Sequence, residues 1–242
     1  MTAAGCPAPA SCPVPGPGGH DLRNPRSYAL SAGTEFFTSL RSPHGPWFNA
    51  SGKGDARFSP LYDPSGSIIP TLYGARSGTV ALLETVFHDV HESSPRLITR
   101  KSLVARGLAR LVTPERYVLI DLRDDALAHI GLERRQLVST TPAHYPCTQQ
   151  WALALHGRRV GSARPVGLTW GSRVAELARA DTPLLNDLLQ GDRAEVFVLF
   201  ADLVATVAPE DFQPRIEEPD LSAPGSLSLV SFVAEQLGAV LP

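Results

Sequence analysis

The chain lacks a long apolar run, an excess of either charge and a useful number of cysteines, and each shortage removes a class of function. The longest strongly apolar stretch, "VFVLFA" at 196–201, is broken by Asp202 and falls far short of the roughly 20 residues that span a bilayer. The formal net charge is −2, with both signs mixed along the chain, so the basic footprint of a nucleic-acid binder is missing. Cysteine occurs only as Cys6, Cys12 and Cys147. An odd count with two members in a Pro-rich tail does not make a disulfide framework, and it fits a reducing cytoplasm. The "TAAGC" before Cys6 has neither the basic start nor the apolar stretch of an export signal. No internal repeat is present.

What is there is enough for a sizeable core: 242 residues, 43% hydrophobic, which length alone would permit as one domain or two small ones. Residues 1–28 read as an unpacked arm, since the first 25 contain six prolines and four glycines and no charged side chain before Asp21. Residues 29–207 read as the body. Residues 208–242 read as a Pro-rich acidic linker followed by an amphipathic helix, with Leu229, Val230, Val233 and Leu237 at helical spacing. Within the body, "YVLID" (117–121), "GLTW" (167–170) and "EVFVLFADL" (195–203) read as strands. Thr79 is placed to cap a helix through His91, Asp124 to start one ending near Gly131, and Thr148 to cap "QQWALALHG". Irregular alternation of these elements favours α+β over a doubly wound sheet.

Several motifs fail on spacing. "GPWFNASGK" has the wrong glycine separation for a phosphate loop, and Gly54 stands where Ser or Thr would bind magnesium. "TWGSRV" lacks the second glycine of a nucleophile elbow. Cys147 follows Pro146 without catalytic context and reads as a small buried side chain. A metal reading is available at Glu84, His88 and His91, spaced i, i+4 and i+7 for one helix face. Two solvated histidines explain the same spacing.

Glu84 poses the sharper question, because Ala81, Leu82, Leu83, Val86 and Phe87 surround it in sequence and an unpartnered charge among such neighbours is costly. Arg57 in "DARFSPLY", Tyr73 in "TLYGA" and Ser172 after "GLTW" supply complementary chemistry. An arginine grips phosphate, a tyrosine face stacks on an aromatic ring, and a carboxylate stabilises an oxocarbenium ion. Together they suit cleavage of a nucleoside diphosphate at its sugar. Singly, each also has an ordinary reading: Arg57 a surface ion pair, Tyr73 a core edge, Glu84 a solvated helix residue, Ser172 a helix cap.

The run "RFSPLYDPSGSIIPTLYGARSGTVALLETVFH" resembles the RES-domain family, the toxin halves of RES–Xre toxin–antitoxin pairs, named for an arginine, a glutamate and a serine that here map to Arg57, Glu84 and Ser172. The likeness extends upstream to "SLRSPHGPWFN", where Arg41 matches a second family arginine, and downstream through "YPCTQQWALAL" and "PVGLTWGSR" to "VFVLFADL". It covers roughly residues 35–203.

The resemblance implies an α+β fold similar to ADP-ribosyltransferases, with a small central β core and flanking helices. It implies an enzyme that takes NAD⁺ as substrate, needs no cofactor, and breaks the nicotinamide–ribose bond by phosphorolysis, with inorganic phosphate as co-substrate, or by hydrolysis. Transfer of ADP-ribose to a protein is the alternative activity, and a metal-dependent hydrolase built on Glu84, His88 and His91 a more distant one. By the same resemblance Arg57, Glu84 and Ser172 are catalytic; Arg41, Tyr73 and Phe58 bind substrate; and no metal is involved. Arg41 and Arg57 would hold phosphate groups, Tyr73 would stack on nicotinamide or its ribose, and Ser172 would position a phosphate or ribose oxygen. An Xre-type antitoxin is the implied partner, and homodimerisation stays open.

Overall fold

A computed structural model of the chain describes residues 6, 8–22, 25–41, 44–90, 94–181, 194–205 and 207–241. The strands are β1 (Ser27–Leu30), β2 (Glu35–Arg41), β3 (Leu61–Tyr62), β4 (Ile68–Ile69), β5 (Thr71–Ala75), β6 (Arg106–Val112), β7 (Tyr117–Asp121), β8 (Gly167–Gly171), β9 (Glu195–Phe200) and β10 (Arg215–Glu218). The helices are α1 (Gly78–Leu83), α2 (Arg100–Leu103), α3 (Asp124–His129), α4 (Arg134–Leu137), α5 (Tyr145–Leu155), α6 (Arg173–Asp181) and α7 (Leu227–Gln236). The fold is α+β. Among the described residues, eight strands form one mixed sheet in the order β1-β7-β8-β9-β5-β2-β6-β10, antiparallel except at β7–β8. The β core is therefore large, where a small one was expected. β1, β2 and β6 escape a reading by apolar run because each mixes polar with apolar residues.

Strands at the centre of the sheet are buried on both faces, which is why "EVFVLF" reads as an unbroken apolar run. Val196, Val198 and Phe200 of β9 join the larger core under the helices, while Phe197 and Leu199 join a second cluster with Phe36, Leu72, Tyr117 and Phe212. Two close approaches depend on glycine. A Cβ on Gly167 would stand 1.9 Å from the Val198 carbonyl oxygen, and one on Gly74 would meet the Phe197 ring at 2.4 Å.

The N-terminal segment does not stand apart from the body as the composition suggested. Cys6, Val14 and Leu22 are buried in the main core. The Trp151 indole N–H donates to the Pro15 carbonyl at 2.6 Å, the His20 ring packs edge-on against Trp151, and His20 Nδ1 lies 3.0 Å from the Ile130 carbonyl oxygen. A Pro-rich chain can pack without periodicity when side chains of the body satisfy its backbone, and no repeat in the sequence marks that arrangement.

The acidic segment after residue 207 is likewise more than a linker. Phe212 fills the second core cluster, and β10 pairs with β6 as the edge strand, where a polar, charged composition is the expected form. The helix α7 buries Val230, Val233 and Ala234. No helix among the described residues is long and apolar enough to cross a membrane.

Candidate active site

The helix bearing Glu84 is shorter than its apolar pattern suggests. Ser77, not Thr79, caps α1, its Oγ accepting from the Val80 N–H at 3.2 Å, and the helix ends at Leu83. The Thr85 hydroxyl donates to the Ala81 carbonyl at 2.6 Å, and the N–H groups of Val86 and Phe87 both return to Leu82, so the chain turns instead of continuing. Glu84 is thus the C-cap residue, half-buried at the wall of a cleft of about 540 Å³. It has a partner. Ser172 Oγ donates to Glu84 Oε1 at 2.5 Å and accepts the Ala175 N–H at 2.9 Å. One hydroxyl therefore caps α6 and fixes the carboxylate. Ser172 is fully buried and is absent from the residues lining the cleft, so within the protein its hydroxyl serves to position Glu84.

Arg57 lines the same cleft but is not a surface residue. Its Nη1 donates to the carbonyls of Leu137 and Thr140, both at 3.2 Å, and to Thr140 Oγ1 at 2.6 Å, while the guanidinium carbon lies 5.3 Å from the Tyr145 ring centroid. Burial lowers its pKa, opposed by the fields of Tyr145 and Glu84. It remains charged, because a guanidinium does not deprotonate in proteins. Thr148, read as a helix cap, is instead a buried residue within α5 whose hydroxyl donates to the Arg57 carbonyl oxygen. The helix begins three residues earlier, at Tyr145 with Pro146 in its first turn.

Aromatic groups form part of the remaining wall. Tyr73 lines the cleft, and its hydroxyl accepts the Phe58 N–H at 3.1 Å; burial pushes its pKa up to about 12, so it is a neutral phenol at ordinary pH. Trp170 meets Phe58 edge-on at 4.9 Å and Tyr73 at 6.2 Å between centroids. Phe58 is itself fully buried and outside the lining, so it supports the wall from behind.

Arg41 is exposed at the end of β2 and outside the lining, whereas its cross-strand neighbour Arg106 lines the cleft. Burial, with Arg41 nearby, lowers the Arg106 pKa. The helix expected to carry Glu84 and His88 on one face ends at Leu83. Glu84 and His88 do not share a helix, His88 Nδ1 lies 2.6 Å from Asp89 and its Nε2 3.4 Å from the Tyr145 hydroxyl, and His91 lies outside the described residues. Sequence reasoning missed Arg106, Tyr145 and Trp170 as cleft residues, and had set His88 beside Glu84 only in the metal reading. Only Tyr145 and Trp170 carried a signal, through the "YPCTQQ" and "GLTW" stretches.

A family model of the RES domain matches residues 35–199. The chain belongs to the RES-domain family. The match runs from β2 into β9 and so takes in the whole set Arg57, Glu84 and Ser172, while the N-terminal segment and α7 lie outside it. No curated protein matches the chain in sequence. Among solved structures, a chain of the M. tuberculosis MbcT–MbcA toxin–antitoxin complex is similar, with 14% identity, coverage of 84% of this chain and 92% of that one, and a TM-score of 0.49. In this RES protein, the arginine, glutamate and serine are an anchored cation, a cleft carboxylate and the hydroxyl behind it.

Proposed function

We propose that this RES protein consumes NAD⁺ by breaking the bond between nicotinamide and ribose, and acts as a toxin neutralised by an Xre-type antitoxin. The observation that carries the reading is the Glu84 carboxylate, held by Ser172 at 2.5 Å in the wall of a cleft that also presents Arg57, Tyr73 and Trp170. The cleft, about 540 Å³, falls within the range of small-ligand sites.

In the reaction, the ribose C1′–N bond breaks with its electron pair leaving on nicotinamide, and an oxygen of phosphate or water bonds to C1′. Positive charge grows on the ribose as nicotinamide departs, and a fixed carboxylate stabilises that charge best where water is excluded. Glu84 takes that role. Ser172 holds its orientation, so little reorganisation is needed as charge develops. Arg57, anchored through one end of its guanidinium, and Arg106 supply positive charge for the pyrophosphate or the incoming phosphate. Tyr73 and Trp170 offer apolar ring surface for nicotinamide.

The test is incubation of the purified protein with NAD⁺, with and without inorganic phosphate, and identification of products by mass. Free nicotinamide is expected in both arms, with phosphorylated ADP-ribose when phosphate is the acceptor and ADP-ribose when water is. ADP-ribose found attached to protein would reassign the activity to transfer. Intact NAD⁺ after prolonged incubation with folded, antitoxin-free protein would overturn the proposal.

A further inference from the structure

All three cysteines of the chain meet outside the cleft, together with one histidine. Cys6 and Cys12 come from the N-terminal segment, His144 from the turn before α5, and Cys147 from the first turn of that helix. Cys12 Sγ lies 3.5 Å from His144 Nδ1 and 3.6 Å from Cys147 Sγ, and Cys6 Sγ lies 4.0 Å from the same Nδ1. The four ligand atoms are within 4.8 Å of one another. Tetrahedral zinc, with bonds of about 2.3 Å to sulfur and about 2.0–2.1 Å to nitrogen, requires edges of about 3.8 Å between sulfurs and about 3.6 Å between sulfur and nitrogen. The observed separations bracket those edges. A disulfide would use two of the thiols and leave the third, with the imidazole, unexplained.

We propose that Cys6, Cys12, His144 and Cys147 form a structural zinc site. Three thiolates and one imidazole are a soft donor set that favours zinc over magnesium or calcium, and four protein ligands leave no open position for catalysis. The Cys6 and Cys12 pair is separated by five residues, and its partners, the closely spaced His144 and Cys147, lie more than 130 positions away, so only one half of the ligand set has the usual short spacing in the sequence. The site would clamp the N-terminal segment to the start of α5. That start carries Tyr145, one residue after His144, and Thr148, whose hydroxyl holds the Arg57 backbone. Metal binding would then stabilise the fold and the cleft wall together.

The full-length protein, purified under reducing conditions without chelator, should carry one zinc per chain by elemental analysis after gel filtration. A mercurial should release that zinc in step with modification of three thiols. Replacement by cobalt should produce the thiolate-to-metal charge-transfer band and the visible bands of a tetrahedral sulfur-rich site. Cys12→Ser should weaken zinc binding by more than about 100-fold, beyond what loss of an outer-shell partner causes. Should that variant fail to fold, the zinc content and cobalt spectrum of the unaltered protein decide alone. The proposal is overturned if the folded, reduced protein holds no stoichiometric zinc after reconstitution, if the cobalt form lacks thiolate charge transfer, or if folded Cys12→Ser keeps full zinc.

Discussion

At the scale of the residue, Glu84 and Ser172 divide the work between charge and position. Glu84→Gln keeps size and most hydrogen-bonding capacity but removes the negative charge, so it should slow nicotinamide release by at least about 100-fold while the melting curve changes little. Ser172→Ala removes the hydroxyl that fixes Glu84 and caps α6. It should lower kcat with KM for NAD⁺ nearly unchanged, and cost about 1 kcal/mol of stability through the lost cap. Steady-state kinetics beside thermal melts separate the two effects. Tyr73 has a different signature. Its folded pKa of about 12 exceeds the ordinary value of 10.0 because burial disfavours the phenolate. The folded state therefore holds its proton more tightly, and the associated stability is present below about pH 10 and lost as pH rises toward 12. Tyr73→Phe should flatten that alkaline limb in denaturation curves measured across pH.

At the scale of the element, the Glu84–Ser172 pair depends on where α1 ends and where β8 gives way to α6. Arg134 of α4 donates to the Gly171 carbonyl at 2.8 Å and pairs with Glu176 of α6 at 2.9 Å, and this ties the exit of β8 to the helix that Ser172 caps. The N-terminal segment acts as an element without regular structure. Deleting residues 1–25 removes the buried Val14 and Leu22 and the hydrogen bond from Trp151 to Pro15. Burial of side chains of this kind contributes about 1.5–3 kcal/mol each. The deletion should therefore destabilise the protein by at least about 3 kcal/mol, read as a shift in the denaturant midpoint. An unchanged midpoint would mean that these contacts contribute nothing in solution.

At the scale of the whole molecule, one mixed sheet separates two apolar clusters, and the cleft opens on the helix side where β5 and β8 present Tyr73 and Trp170. The integrity of that sheet depends on close strand contact at Gly167. Gly167→Ala sets a methyl against a backbone carbonyl that cannot rotate away, and it should cost about 1–3 kcal/mol, as overpacking does elsewhere. Equilibrium unfolding of that variant tests the contact. The segments outside the family match, the N-terminal stretch and α7, are both packed into the same core. The described chain is thus a RES body with both flanks folded onto it.

The sequence by itself determined the α+β class, the strands β7, β8 and β9, the helices α3 and α7, and the grouping of Arg57, Glu84 and Ser172. Apolar runs and helical spacing record burial, and the order of the motifs identifies the family. Only the tertiary structure decided which side of Glu84 faces Ser172, that Arg57 is anchored to Leu137 and Thr140, and that Arg106 rather than Arg41 reaches the cleft. It also decided that the Pro-rich flanks are packed and that Cys6, Cys12, His144 and Cys147 converge. These are long-range facts. A polar side chain's partner is set by geometry between segments far apart in the chain, and local composition carries no record of it.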